Sequence, residues 1–383
     1  MFLVSNQVRA DKAARAPGIH PGEWPPIFVV CSGGVPRQIF LVKMDPAAGA
    51  EVLPTHTPAL FQRAVARAAA LLRAGELVAL PTETVYGLAA NALDLRAVAK
   101  IFEAKGRPAN NPIIVHVAGL DMARRCVREW PALGDKLAQA FWPGPLTVVL
   151  PRSRQIPDLV TAGGTTVGVR WSSHPFIQAV IGACGFPLAA PSANLSAALS
   201  PTNAQHVLKG LGGRIRCIVD GGPSQIGIES TVLDLTVQPP RVLRPGMIHA
   251  QSLLAVIGEL RGAECGARDV ARLRSPGLLP RHYAPKARLI VLSWRDDGDL
   301  RRQLSALPGP SSAVHIIAHT RIPSGEPVGG VSVMPREAEA FARALYAELH
   351  RCDESAAGWI VVEALPDTAE WQAINDRLRR AAA

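Results

Sequence analysis

From Ala59 to Leu260, apolar runs of three to five residues alternate with longer stretches whose apolar residues recur at helical spacing. Helices layered on a sheet satisfy both periods at once, so an α/β domain is expected. In Ala59–Arg73 the stripe is Leu60, Phe61, Ala64, Val65, Ala68, Leu71 and Leu72, with Arg63 and Arg67 four apart on the other face and Gly75 as a stop. Leu77–Leu80 reads as a strand, and Asp94 caps a helix running to about Ala104. Further strands are expected at Ile113–Val117, Leu146–Leu150, Thr166–Arg170, Leu188–Ala190, Cys217–Asp220, Thr231–Leu235 and Arg241–Leu243. Helices are expected near Asp121–Glu129, Pro175–Ala183, Asn203–Leu208 and Gln251–Leu260. Several neighbouring strands read as antiparallel.

The pattern breaks at Gly262, and the string SPGLLPRHYAP (Ser275–Pro285) has the composition of a linker. Beyond it, strands at Arg288–Leu292, Ala313–His319 and Trp359–Val362 alternate with a helix over Glu337–Leu349 and a last one over Trp371–Arg380. The expected division is a poorly structured extension (1–54), a first domain (55–261), a linker (262–287) and a smaller α/β domain (288–383). Within the extension, the apolar stretch near Val29 lacks the flanks of a signal peptide, and Met44 reads as an alternative start.

The chain is 48% hydrophobic and 19% charged, and no apolar run is long enough to cross a bilayer, so a soluble protein with no membrane partner is expected. Six scattered cysteines without a Cys-x-x-Cys pair fit a reducing cytoplasm and argue against a disulfide framework or zinc module. The net charge of +10 is uneven: 19 − 11 = +8 over 55–250 and 17 − 16 = +1 over 251–383. A basic first domain suits an anionic ligand, a nucleotide or a nucleic acid, or is simply a solvated basic face. With aromatics at 5%, base-stacking platforms are disfavoured.

No P-loop string occurs, and Gly210-Leu211-Gly212-Gly213-Arg214-Ile215 is one glycine short of a dinucleotide fingerprint and reads as a turn. Instead, polar residues follow apolar strands at alternate positions. In Pro81–Leu88 (PTETVYGL), extended backbone puts Thr82, Thr84 and Tyr86 on one side, either to grip a small polar ligand or as β-favouring residues on a half-exposed strand. Lys105 and Arg107 flank Gly106 at a helix end ahead of Pro108, which serves either the helix dipole or a shaped phosphate loop. Ser192 and Asn194 repeat the period-two pattern, as do Thr166 and Arg170, while Glu229-Ser230-Thr231 opens a strand and Arg244 precedes Pro245-Gly246. A buried unpaired guanidinium is costly, so arginines at core-strand ends call for carboxylates or phosphates.

Taken in order, PTETVYGLAANA (from Pro81), KGRP with Pro112 following, Ser192-x-Asn194, ESTVLDL (from Glu229) and VLRPG (from Val242) resemble the YrdC-like family, over about Leu60 to Leu260. Lys105, Arg107, Ser192 and Asn194 meet its KxR…SxN pattern. The linker string and the ending AINDRLRRAA (Ala373–Ala382) resemble the family's two-domain threonylcarbamoyl-AMP synthases. The resemblance implies an α/β fold, a YrdC-like twisted open mixed sheet with helices, then the linker and a smaller Rossmann-like domain. The implied activity is nucleotidyl transfer: L-threonine, bicarbonate and ATP with Mg²⁺ give L-threonylcarbamoyl-AMP and pyrophosphate, with no prosthetic group and no metal ligands in the chain. The product would pass to the tRNA threonylcarbamoyl transferase machinery, which modifies the adenosine 3′ to the anticodon in tRNAs reading ANN codons.

Carried onto matching positions, Lys105, Arg107, Ser192 and Asn194 form the catalytic set. Lys105, Arg107, Asn111, Thr166, Ser192, Ser200, Arg244 and Tyr283 would contact ATP, and Thr84, His116, Arg170 and Ser230 threonine, with His116 orienting it or moving a proton. Trp171-Ser172 departs from the family's apolar residue and proline. A carbamoyl-phosphate-dependent carbamoyltransferase is the nearest rival, disfavoured by the missing Cys-rich modules. A plain RNA-binding protein is the other, and weak tRNA or double-stranded RNA binding is compatible with the basic first domain.

Overall fold

The computed structural model describes residues 28–29, 37–38, 49–261, 282–324 and 329–383. It divides into two compact units, Met1–Asp45 and Pro46–Ala383. In the first, β1 (Phe28–Val29) pairs antiparallel with β2 (Arg37–Gln38). Met44, Cys31, Cys265, most of the expected extension and residues 262–281 of the expected linker lie outside the described residues.

The second unit begins β3 (Glu51–Pro54), α1 (Pro58–Arg73), β4 (Val78–Leu80), β5 (Gly87–Asn91), α2 (Leu95–Lys105), β6 (Val115–His116), α3 (Leu120–Cys126) and α4 (Ala132–Phe141). It continues β7 (Leu146–Pro151), β8 (Thr166–Arg170), α5 (Pro175–Cys184), β9 (Leu188–Ala189), α6 (Ala204–Leu211), β10 (Cys217–Asp220), β11 (Thr231–Asp234), β12 (Arg241–Arg244) and α7 (Ala250–Ile257). Among the described residues these strands form one ten-stranded sheet in the order β12-β11-β7-β8-β6-β9-β5-β4-β10-β3. It is mixed: β9 runs antiparallel to both β5 and β6, whereas β10 lies parallel to β4 and β3. β3 pairs with β10 from residue 51 onward, four residues ahead of the domain start expected at 55.

Alternation along the strands sorts the two faces. Val78 and Leu80 pack with α1 and α5, while Ala79 faces the cluster built with α2, α4, α6 and α7. In the other half of the sheet Val115, Val148, Leu150, Val167, Val169 and Leu233 join that second cluster. Their neighbours of opposite parity, Ile114, His116, Thr147, Val149, Gly168, Arg170 and Val232, line cavities on the remaining face.

Local signals account for the helix ends. The Thr57 hydroxyl accepts from Leu60 N (3.2 Å) with Pro58 at the first helical position, and Asp94 accepts from Arg96 N (2.8 Å) at the start of α2. Gly106 (φ 60°) ends α2 in the left-handed conformation, which turns the chain inward immediately beyond Lys105.

The smaller C-terminal part carries β13 (Arg288–Leu292), α8 (Asp297–Ser305), β14 (Val314–Ala318), β15 (Gly330–Val333), α9 (Ala338–Glu354), β16 (Trp359–Glu363) and α10 (Gln372–Ala381). Its sheet, in the order β13-β16-β14-β15, is parallel throughout, as a Rossmann-like domain requires. Glu363, at the end of β16, accepts from the backbone N–H groups of His319 (2.6 Å), Thr320 (2.8 Å) and Arg321 (3.1 Å) just past β14.

The two parts share a core: the loop residues Val85, Leu199 and Ile228 pack with Tyr283 and with Phe341, Leu345 and Tyr346 of α9. Gly227, at φ 86°, lies so close to α9 that a Cβ there would fall 2.5 Å from the Cα of Arg343. Among the described residues no helix is long and apolar enough to cross a membrane.

Candidate active site

The expected extended run from Thr82 to Tyr86 is instead a turn. The Thr82 hydroxyl accepts from the N–H groups of Thr84 (3.2 Å) and Val85 (3.3 Å), and it donates to the carbonyl of Val85 (2.6 Å). A threonine that bonds its own following backbone competes with the strand ladder, and pairing resumes only at Gly87. The turn places the Thr84 hydroxyl where Arg170 Nη1 donates to it at 2.9 Å. Tyr86 contributes its ring, but its hydroxyl donates to the carbonyl of Gly222 (2.7 Å) and accepts from Gly221 N (3.1 Å).

Arg170 ends β8 with its Nη2 2.8 Å from Glu83 Oε1, both side chains buried. Burial by itself raises the Glu83 carboxyl. The charge of Arg170 and hydrogen bonds from Ser172 and Ser173 outweigh it and bring the pKa down to about 2. The departure at Trp171-Ser172 thus has a use, since the Ser172 hydroxyl donates to Glu83. His116 stands opposite Arg170 in the β6–β8 register. Burial, then the charge of Arg170, lower its pKa to about 3, so the ring is neutral at physiological pH, and its buried Nδ1 has no partner. A ring so weakly basic suits orienting a substrate better than taking its proton.

Lys105 closes α2 and turns under the 192–196 segment. Its Nζ donates to the carbonyls of Ser192 and Asn194 (2.5 Å each) and lies 3.3 Å from Asn194 Oδ1. The amide of Asn194 is fixed in turn by donating to the Ala198 carbonyl (2.7 Å). Burial and the charge of Arg107 push the ammonium well below its usual pKa. The Arg107 guanidinium is held by Asn111 Oδ1 (2.7 Å) and by the carbonyls of Asn111 (3.1 Å) and Pro112 (2.7 Å). Burial pulls its pKa down to about 9, which leaves it charged at neutral pH.

These groups surround a cavity of about 50 Å³. Of the residues expected from sequence, Thr84, Arg107, His116, Arg170, Ser192, Arg244 and Tyr283 line it. Lys105, Asn194 and Asn111 stand one layer back, as do Ser230, whose Oγ lies 2.8 Å from that of Thr147, and Ser200, which donates to Glu229. Thr166 is not brought to this cavity; it lines a separate one of about 10 Å³ on the same sheet face, with Thr147 and Thr161. Glu229 and His282 line the main cavity and were not among the expected site residues.

Tyr283, in left-handed conformation (φ 60°), and His282 line the cavity, their segment anchored by Ala284 N donating to the carbonyl of Ala197 at 2.9 Å. The Tyr283 hydroxyl and His282 Nδ1 are buried without partners, so they are free to meet a ligand. Around the cavity the buried basic side chains Lys105, Arg107, Arg170, Arg244 and Arg377 outnumber the buried carboxylates Glu83, Glu229 and Asp376. A surplus of basic groups favours an anionic ligand.

Both carboxylates already have cationic and hydroxyl partners, so neither is left to bind a metal directly. Elsewhere, His315, Glu348 and Cys352 converge, but Arg351 Nη2 donates to Glu348 Oε1 (2.6 Å) and lies 3.0 Å from His315 Nε2, where a cation would sit.

Residues 70–246 match the family described as Telomere recombination (Sua5/YciO/YrdC), and residues 248–383 match the Threonylcarbamoyl-AMP synthase C-terminal domain. The threonylcarbamoyl-AMP synthase of Pyrococcus abyssi is 42% identical over 319 residues, covering 82% of this chain and 92% of the relative. That of Bacillus subtilis is 41% identical over 83% of this chain and 92% of its own length. The crystal structure of Pyrococcus abyssi Sua5 complexed with L-threonine superposes with a TM-score of 0.79 at 38% identity, covering 86% of this chain and 96% of that one. Similarity in sequence therefore runs along nearly the whole length of these relatives, and in fold along that of the Pyrococcus abyssi structure, and the chain belongs to the threonylcarbamoyl-AMP synthase family.

Proposed function

We propose that this chain joins L-threonine, bicarbonate and ATP into L-threonylcarbamoyl-AMP and releases pyrophosphate. The observation that carries the reading is the buried surplus of basic over acidic side chains around a cavity that also offers Thr84, His116 and Arg170. The relative solved with L-threonine supports that amino acid as a substrate. Arg170, oriented by Glu83 and Thr84, would take the α-carboxylate, and the free Nδ1 of His116 the remaining polar group.

The threonine amine attacks the bicarbonate carbon and water leaves, giving a carbamate. A carbamate oxygen then attacks the α-phosphorus of ATP and pyrophosphate departs. Two anions must meet, and the chain supplies Lys105, Arg107 and Arg244 to offset their repulsion. No side chain needs to act as a covalent nucleophile; positioning and fixed charge do the chemistry. Mg²⁺ would arrive on the nucleotide, held by phosphate oxygens and water, which fits a site whose carboxylates are already paired.

Tyr283 and His282, which line the cavity, would lie against the bound substrates and help exclude water. The product would be handed to the machinery that transfers threonylcarbamoyl to tRNA. The test is pyrophosphate release by the full chain with ATP and Mg²⁺, omitting threonine or bicarbonate in turn. Release that needs both, with threonylcarbamoyl-AMP identified by mass, is expected. Turnover of carbamoyl phosphate instead, or RNA binding without ATP consumption, overturns the reading.

A further inference from the structure

Glu229 is out of place electrostatically. It lines a cavity proposed above for a polyanion, and it sits beside Ser230, whose hydroxyl and carbonyl both accept from Arg244 (3.1 Å each). Left alone, a buried carboxylate here repels phosphate and competes for Arg244. It is not left alone. Arg377 of α10, 1% exposed, donates from Nε to Glu229 Oε2 at 2.8 Å and from Nη2 to the Glu229 carbonyl at 3.2 Å.

The same guanidinium donates from Nη1 to the Pro245 carbonyl at 2.9 Å, next to Arg244. One side chain from the second domain thus clasps the start of β11, beside Ser230, and the end of β12, beside Arg244. Tyr346 of α9 adds its hydroxyl at 3.2 Å, and Ser200 donates at 2.5 Å from the catalytic side. Asp376 fixes Arg377 from its own helix at 2.9 Å.

We infer that Arg377 is a positioning residue of the nucleotide subsite, which orients and neutralises Glu229 so that Arg244 and the cavity keep their positive charge for the phosphates of ATP. This rests on the synthase reading above. It gives the second domain a role in the reaction that its distance in sequence conceals, since Arg377 and Glu229 are 148 residues apart. The Glu229 carboxyl is raised by burial and brought back below its usual pKa chiefly by Arg377 and then by Arg244, with Ser200 assisting. The other groups facing it are His282, neutral with a pKa of about 3, and the protonated hydroxyls of Tyr283 and Tyr346.

Arg377→Met removes the main compensating charge. The Michaelis constant for ATP should rise about tenfold or more, with a smaller change in kcat. Glu229 should then titrate within reach, so the defect should shrink as pH falls from about 8 to about 5.5 and the carboxyl becomes neutral. A purely structural role has no reason to produce that pH dependence.

The double variant Arg377→Met, Glu229→Gln lacks both charges. It should bring the constant back to within roughly threefold of the parent, flat with pH, and it serves if the single variant does not fold. Affinity for ATP with Mg²⁺, measured by calorimetry, gives the same comparison without turnover. An Arg377→Met protein with unchanged ATP affinity overturns the inference, as does a defect that Glu229→Gln fails to relieve. Loss of threonine-dependent pyrophosphate release in the parent chain would strike the synthase reading instead, and the two failures are separable.

Discussion

Replacing Gly227 by alanine puts a methyl group where α9 already is. The new Cβ would lie 2.5 Å from Arg343 Cα, 2.6 Å from the Ala342 carbonyl oxygen and 2.8 Å from that of Arg343, all backbone atoms that cannot rotate away. Ordinary contact begins near 3.4 Å, so the helix must retreat by about 3.4 − 2.5 = 0.9 Å. Overpacking of this kind costs ~1–3 kcal/mol, and holding alanine at the observed φ of 86° costs a further ~1–2 kcal/mol. The docked arrangement should lose roughly 2–5 kcal/mol, a fall of about 3–7 °C in melting temperature for a unit of this size. Tyr346, one turn along α9, would lose its 3.2 Å contact with Glu229, so the ATP constant should also rise. Scanning calorimetry beside Gly210→Ala, where a Cβ meets nothing within 4 Å, controls for the substitution itself. A Gly227→Ala protein that melts with the parent and binds ATP as tightly would refute the close approach.

Lys105→Ala or Arg107→Ala should cost ~2–4 kcal/mol of transition-state stabilisation, read as kcat/KM for pyrophosphate release; near-normal turnover in a folded variant would remove the phosphates from this loop. Glu83→Gln breaks a buried ion pair and should destabilise by ~3–5 kcal/mol at neutral pH, measured by denaturant unfolding. Because the Glu83 pKa is lowered to about 2, its stabilisation is full above about 4.5 and is lost as pH falls toward 2, so the variant should show a shallower acid limb. His206 and His350 stack across the interface with ring centroids 3.8 Å apart, and burial, above all, lowers both pKa values, that of His206 to about 3. The unfolded chain then binds more protons than the native one between about 6.5 and 3, so stability should fall with pH in that window, and His206→Gln should reduce the slope.

Where physical signals are local, the sequence carried them. Asp94, Gly106 and the stripe from Leu60 to Leu72 prescribe α1 and α2, and strand alternation separates Val78 and Leu80 from Ala79. The strand Gly87–Asn91 escaped notice because Gly-Leu-Ala-Ala-Asn holds no β-branched residue, so its pairing is decided by neighbouring strands. Thr82 misled in the other direction, since its hydroxyl stabilises a turn where alternation alone predicts extension. Lys105 meets Ser192 and Asn194, and Arg107 lines the cavity with Ser192, whereas Thr166 lines a separate one. Glu83 and Glu229 went unread as site groups because a carboxylate beside anion ligands makes sense only once Arg170 and Arg377 are seen against it.

The carboxylate of Glu363 has a counterpart in function. In parallel α/β domains, backbone N–H groups beyond the strand ends are where phosphates are commonly seated. Here the chain's own side chain fills that seat, accepting from His319, Thr320 and Arg321. The smaller domain is therefore closed to nucleotide at that position by an internal mimic. No second equivalent of ATP should bind at these N–H groups, and the second domain's part is to lend Arg377 to its neighbour's site.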